Sequence, residues 1–179
     1  VELADEISPP ASILGTHAIS VSSLSKTYGV PGIRFGWLTC RDQSLMTILL
    51  AAQEQLALAH STLDTAVAEF ILANRERLLP DVRTHLHANR AIVADWIAAD
   101  PRIEWVAPQG GAVCFPRFAD PAINARRIFA NLQKAGIFLG PGWWFEQEER
   151  CFRLGFGYPT EEELRLGLQM ISSELDRAT

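Results

Sequence analysis

The run Ser22-Ser23-Leu24-Ser25-Lys26-Thr27-Tyr28-Gly29-Val30-Pro31-Gly32-Ile33-Arg34-Phe35-Gly36-Trp37 concentrates residue types that do chemistry. Serine hydroxyls, backbone N–H groups bared by glycine, and a guanidinium together suit a phosphate dianion: each donates to an oxygen, and the arginine adds a fixed charge. A lysine held in the same pocket, desolvated and beside a second cation, loses part of its preference for the charged form. Its amine is then a nucleophile toward carbonyls. The residue types alone equally fit a surface loop with a solvated Lys26 and Arg34. A phosphate loop of the GxxxxGK(S/T) kind is excluded, since Ser25 and not Gly precedes Lys26.

A second constellation is Cys151-Phe152-Arg153-Leu154-Gly155-Phe156-Gly157, which follows Pro141-Gly142-Trp143-Trp144-Phe145. An arginine between apolar neighbours on a short strand suits a bidentate grip on a planar carboxylate. The other reading is an edge-strand ion pair. Other chemistry is thin. His85 and His87 stand two apart on a predicted helix and do not share a face, while His17 and His60 are isolated, so no metal site is expected. Trp143, Trp144 and Phe145 either line a substrate entrance or pack a domain seam.

These residues need elements to position them. The segment 17–22 alternates as a short strand does, and Ile33 to Cys40 reads as a second strand; both look buried. Asp42 and Ser44 are helix-start residues before Leu45, Ile48, Leu49, Ala52 and Leu56, which predicts a helix over about 43–58. Ser61 or Thr62 caps a further helix, and Pro80 permits a new helix start that runs to Asp100-Pro101. Short strands are then expected at 103–106, 112–118, 137–139 and 152–156, with helices at 121–135 and 160–177. The expected fold class is α/β, with a boundary between residues 80 and 100.

Composition agrees with a folded small-molecule protein. Of 179 residues, 48% are hydrophobic and 21% charged, and the net charge of −5 comes without any basic block that would track a phosphate backbone. Nucleic acid is therefore not an expected partner. The apolar run from Leu45 to Ala52 stops well short of the roughly 18 residues that a membrane span needs. Cys40, Cys114 and Cys151 show no CxxC spacing, which points to a reducing, cytoplasmic setting. The opening Val1-Glu2-Leu3 has no initiator Met, so the chain is expected to be part of a longer protein.

The pattern Ser23-x-Ser25-Lys26-x-x-Gly29-x-x-Gly32-x-Arg34-x-Gly36 resembles the pyridoxal-phosphate attachment signature of class I/II aminotransferases, of fold type I. Phe35 departs from it mildly, standing where a smaller aliphatic residue is usual. Pro108-Gln109-Gly110-Gly111 and the Pro141-Gly142-x-x-Phe145 loop before Arg153 are similar to two further family segments, in the same order. The resemblance implies that Lys26 carries pyridoxal 5'-phosphate as a Schiff base, that Ser23 and Arg34 hold the phosphate with Ser25 as a helper, and that Arg153 binds the substrate carboxylate. It implies residues 1–85 as the C-terminal part of the large cofactor-binding domain with linking helices, and 86–179 as the small α+β domain. It further implies amino-group transfer between an amino acid and a 2-oxo acid, and a homodimer, with the helix near 43–60 as a contact.

Family members place an Asp-Glu-Val/Ile-Tyr segment before the lysine, whose Asp pairs with the pyridine nitrogen. Asp5-Glu6-Ile7-Ser8 differs from it, since Asp5 is only 21 positions before Lys26 and Ser8 replaces the Tyr; Asp5 is expected to be a turn residue. Two alternatives to transamination remain. One is another reaction of the same fold type, such as decarboxylation or β-elimination; the other is a non-catalytic sensing domain, which a helix-turn-helix module upstream would mark.

Overall fold

The computed structural model describes residues 9–178. The Asp5-Glu6-Ile7-Ser8 segment lies outside them. The chain forms two units, Val1–Val82 and Arg83–Thr179, so that the division falls inside one helix.

In the first unit, β1 (Ile19–Ser23) runs into a one-turn helix α1 (Leu24–Thr27), and the chain returns as β2 (Gly36–Cys40), antiparallel to β1 with Ile19 opposite Cys40 and Ser23 opposite Gly36. Helices α2 (Gln43–Leu56) and α3 (Thr62–Ala73) follow. Asp42 caps α2 as its type predicts: its carboxylate accepts from the N–H groups of Ser44 at 2.9 Å and Leu45 at 3.1 Å. Ser61 caps α3 through Asp64 N–H.

Three expectations for this half are corrected. The second strand begins at Gly36 and not at Ile33, because Ile33 and Phe35 turn inward and pack around the buried Leu24, Ala68 and Ile71. The hairpin is not buried on both faces: Val21 is 78% exposed, and nothing in the described part of this unit covers it. Pro80 does not start a helix. It lies inside α4 (Arg75–Ala99), whose first turn is already closed upstream by Leu78 N–H donating to the Asn74 carbonyl, so proline removes one donor without ending the helix.

The second unit has the antiparallel pair β3 (Ile103–Glu104) and β5 (Arg117–Phe118), and a three-stranded sheet of β4 (Val113–Cys114), β7 (Phe152–Gly155) and β6 (Gly140–Pro141), with β7 in the middle. Helices α5 (Ala125–Lys134) and α6 (Glu161–Asp176) complete it. Phe152, Leu154 and Phe156 alternate inward, and Phe152 meets Phe118 and Phe129 with ring centroids 5.0 and 5.9 Å apart. A capping box of Thr160 and Glu163 starts α6.

Two strand expectations here are also corrected. The predicted strand 112–118 is split in two at Pro116, which has no N–H for the ladder and serves only as acceptor from Phe152 N–H at 2.9 Å. The predicted strand 137–139 is absent. Ile137 N–H still closes α5 onto the Leu132 carbonyl after the left-handed turn at Gly136, so pairing with β7 begins only at Gly140.

Asn89 of α4 ties this unit together. It is wholly buried, and its amide donates to the Phe156 and Pro159 carbonyls, both at 2.8 Å, which fixes the chain just after β7. Replacing Asn89 with Ala leaves these carbonyls without that donor and is expected to cost about 1–3 kcal/mol in urea unfolding. Asn89→Asp, which sets a carboxylate against two carbonyl oxygens, is expected to cost more.

Candidate active site

The Ser23–Gly36 segment owes its shape to Leu24. With Ser23 and Ser25 on either side, Leu24 is completely buried, its N–H donates to the Phe35 carbonyl at 3.2 Å, and its own carbonyl accepts from Val30 N–H. Tyr28, Val30, Ile33 and Phe35 pack on the same cluster, so the loop is a compact structure and not a free connection. Gly29 takes a left-handed φ of 67° to make the turn. Gly36 is required for a different reason: a Cβ there would lie 2.9 Å from the Ser22 carbonyl oxygen on β1.

Ser23, Ser25 and Arg34 are brought together in the wall of one groove of about 750 Å3, with Phe35, Trp37 and Leu49. Arg34 Nη1 donates to the Pro31 carbonyl at 3.0 Å and to Ser25 Oγ at 3.4 Å. Ser23 stands at the start of α1, and its side chain makes no capping bond. Among the described residues no Asp or Glu lines the groove. A guanidinium and two hydroxyls without a competing carboxylate fit a phosphate dianion.

Lys26 follows Ser25 directly in α1 but is solvent-exposed and does not line that groove. The buried setting expected from the sequence is therefore not provided by the described part of this unit. His60, isolated in the sequence, also lines the groove, with its Nε2 2.6 Å from Gln53 Nε2. It and Trp37 had no chemical signature in the sequence beyond their residue types.

In the second unit, Arg153 sits on β7 with its side chain on the exposed face, opposite Gly140. Among the described residues no carboxylate pairs with it, in contrast to Arg102, Arg117, Arg126 and Arg150, which all pair with Asp or Glu. Cys114 is on the inner face, opposite Leu154, where burial pushes its thiol up to about 12 and keeps it protonated. Trp143 is packed against Phe129 and under the Arg126 guanidinium, whereas Trp144 is largely exposed.

The mixed α/β chain has the fold of the pyridoxal-phosphate-dependent fold type I proteins. The chain belongs to the class I and II aminotransferase family, whose model matches residues 6–171. It is similar to capreomycidine synthase of Streptomyces vinaceus, with 35% identity over 160 residues that are 89% of this chain and 40% of that protein. A pyridoxal-phosphate-dependent aminotransferase from Streptococcus suis superposes with a TM-score of 0.88 at 30% identity, over 100% of this chain and 47% of that one. The pyridoxal-phosphate-dependent cyclase OrfR gives 0.77 at 30% identity, over 90% and 44%. The chain thus spans less than half the length of these relatives. Among the described residues no helix is long and apolar enough to cross a membrane.

The close approach at Gly36 gives a direct check. Gly36→Ala in the full-length protein is expected to force the hairpin apart at Ser22 and cost about 1–3 kcal/mol of stability in chemical denaturation.

Proposed function

We propose that the protein is a pyridoxal-phosphate-dependent aminotransferase that moves an amino group between an amino acid and a 2-oxo acid. The observation that carries this reading is the joining of Ser23, Ser25 and Arg34 in one groove wall directly beside the Lys26 turn. Arg34 and the two serines would hold the cofactor phosphate, and Lys26 would hold the cofactor covalently. When bound, pyridoxal phosphate supplies an electron sink for charge developing at the substrate α-carbon. Lys26 would take up and return the proton at that carbon as general base and acid. Arg153 orients the substrate carboxylate by a bidentate, charge-assisted pair. Residues 1–85 serve as the cofactor-binding part and 86–179 as the small domain, and the protein acts as a cytoplasmic homodimer.

A second reading keeps the cofactor and retains the substrate nitrogen in the product, as in a cyclisation. It is favoured by the 35% identity to capreomycidine synthase and the 30% identity to the cyclase OrfR.

Full-length protein reconstituted with pyridoxal phosphate is expected to show the visible absorption of a lysine-bound cofactor, and Lys26→Ala to lose both this band and turnover. With a 15N-labelled amino acid, label is expected in the amino acid formed from an added 2-oxo acid. Label kept in a rearranged product of the donor establishes the second reading, and turnover by the Lys26→Ala variant overturns both. Arg34→Ala is expected to weaken cofactor binding by about 10–100-fold, from the loss of charge-assisted bonds to phosphate.

A further inference from the structure

The face of β7 that carries Arg153 has an apolar surround that carboxylate capture alone does not use. Gly140 stands opposite Arg153 on β6. On the other side the register runs Val113 opposite Gly155 and Cys114 opposite Leu154, and one more step sets Phe115 level with Arg153. Phe145, at the end of the 3-10 turn Gly142–Phe145, folds its ring back over Gly140: a Cβ at Gly140 would lie 3.2 Å from Phe145 Cε2 and also 3.2 Å from Arg153 Cβ. The rings of Phe115 and Phe145 meet edge to face, with centroids 5.4 Å apart at 88°. They therefore reach toward each other from opposite sides of β7, beside the root of the Arg153 side chain.

Both rings remain 38–40% exposed, so they form a surface and not core. The Arg153 side chain makes no hydrogen bond or ion pair among the described residues. The neighbouring cation on β5, Arg117, is already paired with Glu104 at 2.7 Å. The face thus presents one uncommitted positive charge next to an aromatic shelf, with no second free cation on β4, β6 or β7.

We infer that Phe115, Phe145 and the bare Gly140 form a specificity shelf that seats the hydrocarbon part of a carboxylate held by Arg153, selecting aromatic or bulky apolar carboxylates over small or dicarboxylic ones. The rings offer apolar area that a ligand hydrocarbon covers, and covering it removes water from the guanidinium–carboxylate pair and strengthens that pair. A second carboxylate would be desolvated against the rings without a partner. Gly140 is part of the device, since any side chain there displaces either the Phe145 ring or Arg153. The inference rests on Arg153 being the carboxylate-binding residue.

The test uses the full-length holoenzyme and two carboxylates that lack an amine, hydrocinnamate and acetate, titrated calorimetrically. Wild type is expected to bind hydrocinnamate at least about tenfold more tightly than acetate. Phe115→Ala and Phe145→Ala are expected to bring the ratio near one with acetate affinity unchanged. Gly140→Ala shifts it in the same direction, and Phe145→Tyr, which keeps a ring, retains the preference. Arg153→Ala loses both ligands. An unchanged ratio in the two alanine variants, or an equal loss of acetate and hydrocinnamate, overturns the shelf while leaving the role of Arg153 intact. Binding that survives in Arg153→Ala overturns the carboxylate reading itself.

Discussion

The first unit depends on the burial of one side chain, Leu24. Its position between Ser23 and Ser25 means that sealing it against Ala68 and Ile71 leaves both hydroxyls outside the core. Complete burial of a leucine is worth about 1.5–3 kcal/mol, and here the same contact also sets a geometry. The Leu24 N–H bond to the Phe35 carbonyl brings the start of the loop back to its end, so Arg34, nine residues on from Ser25, reaches it with its guanidinium. Fixed donors need a fixed support, and the apolar anchor beneath Ser23 and Ser25 provides it.

The second unit solves a similar problem with a strand. Phe152, Leu154 and Phe156 lock the inner face of β7 into an aromatic core, which leaves Arg153 outward with no freedom to exchange faces, since a slip of one residue would bury the charge. Asn89 fixes the chain immediately beyond. In both units, therefore, a charged side chain is aimed by its buried neighbours in sequence and not by a salt bridge. A structural ion pair would occupy the charge that the proposed phosphate and carboxylate contacts use.

Much of this was legible in the sequence where short-range physics decides. The helix starts at Asp42 and Ser61 follow from capping, which is a matter of a few adjacent residues. The spacing of Lys26, Arg34 and the glycines marks the loop, and the structure supplies the reason for Gly36 in its approach to the Ser22 carbonyl. What was not legible depends on neighbours distant in sequence. Ile33 and Phe35 have strand character and yet pack into a core with Ala68 and Ile71 of α3, and the apolar residues of β1 suggest a buried strand although Val21 stays largely exposed. Ile137 looks like the start of a strand but is taken by the closing turn of α5.

The sequence by itself determined the chemical inventory and its order: a lysine and an arginine on a Ser/Gly loop, a second arginine on an alternating apolar strand, and the family to which both belong. These survive because they are set by residue identity and by periods of two or 3.6 residues. Only the tertiary structure decided that Ser23, Ser25 and Arg34 share one groove wall, that Lys26 lies exposed beside it, and that Phe115 and Phe145 converge on the face of Arg153. Those placements join residues up to 38 positions apart through sheet register and core packing, and no local pattern carries that information.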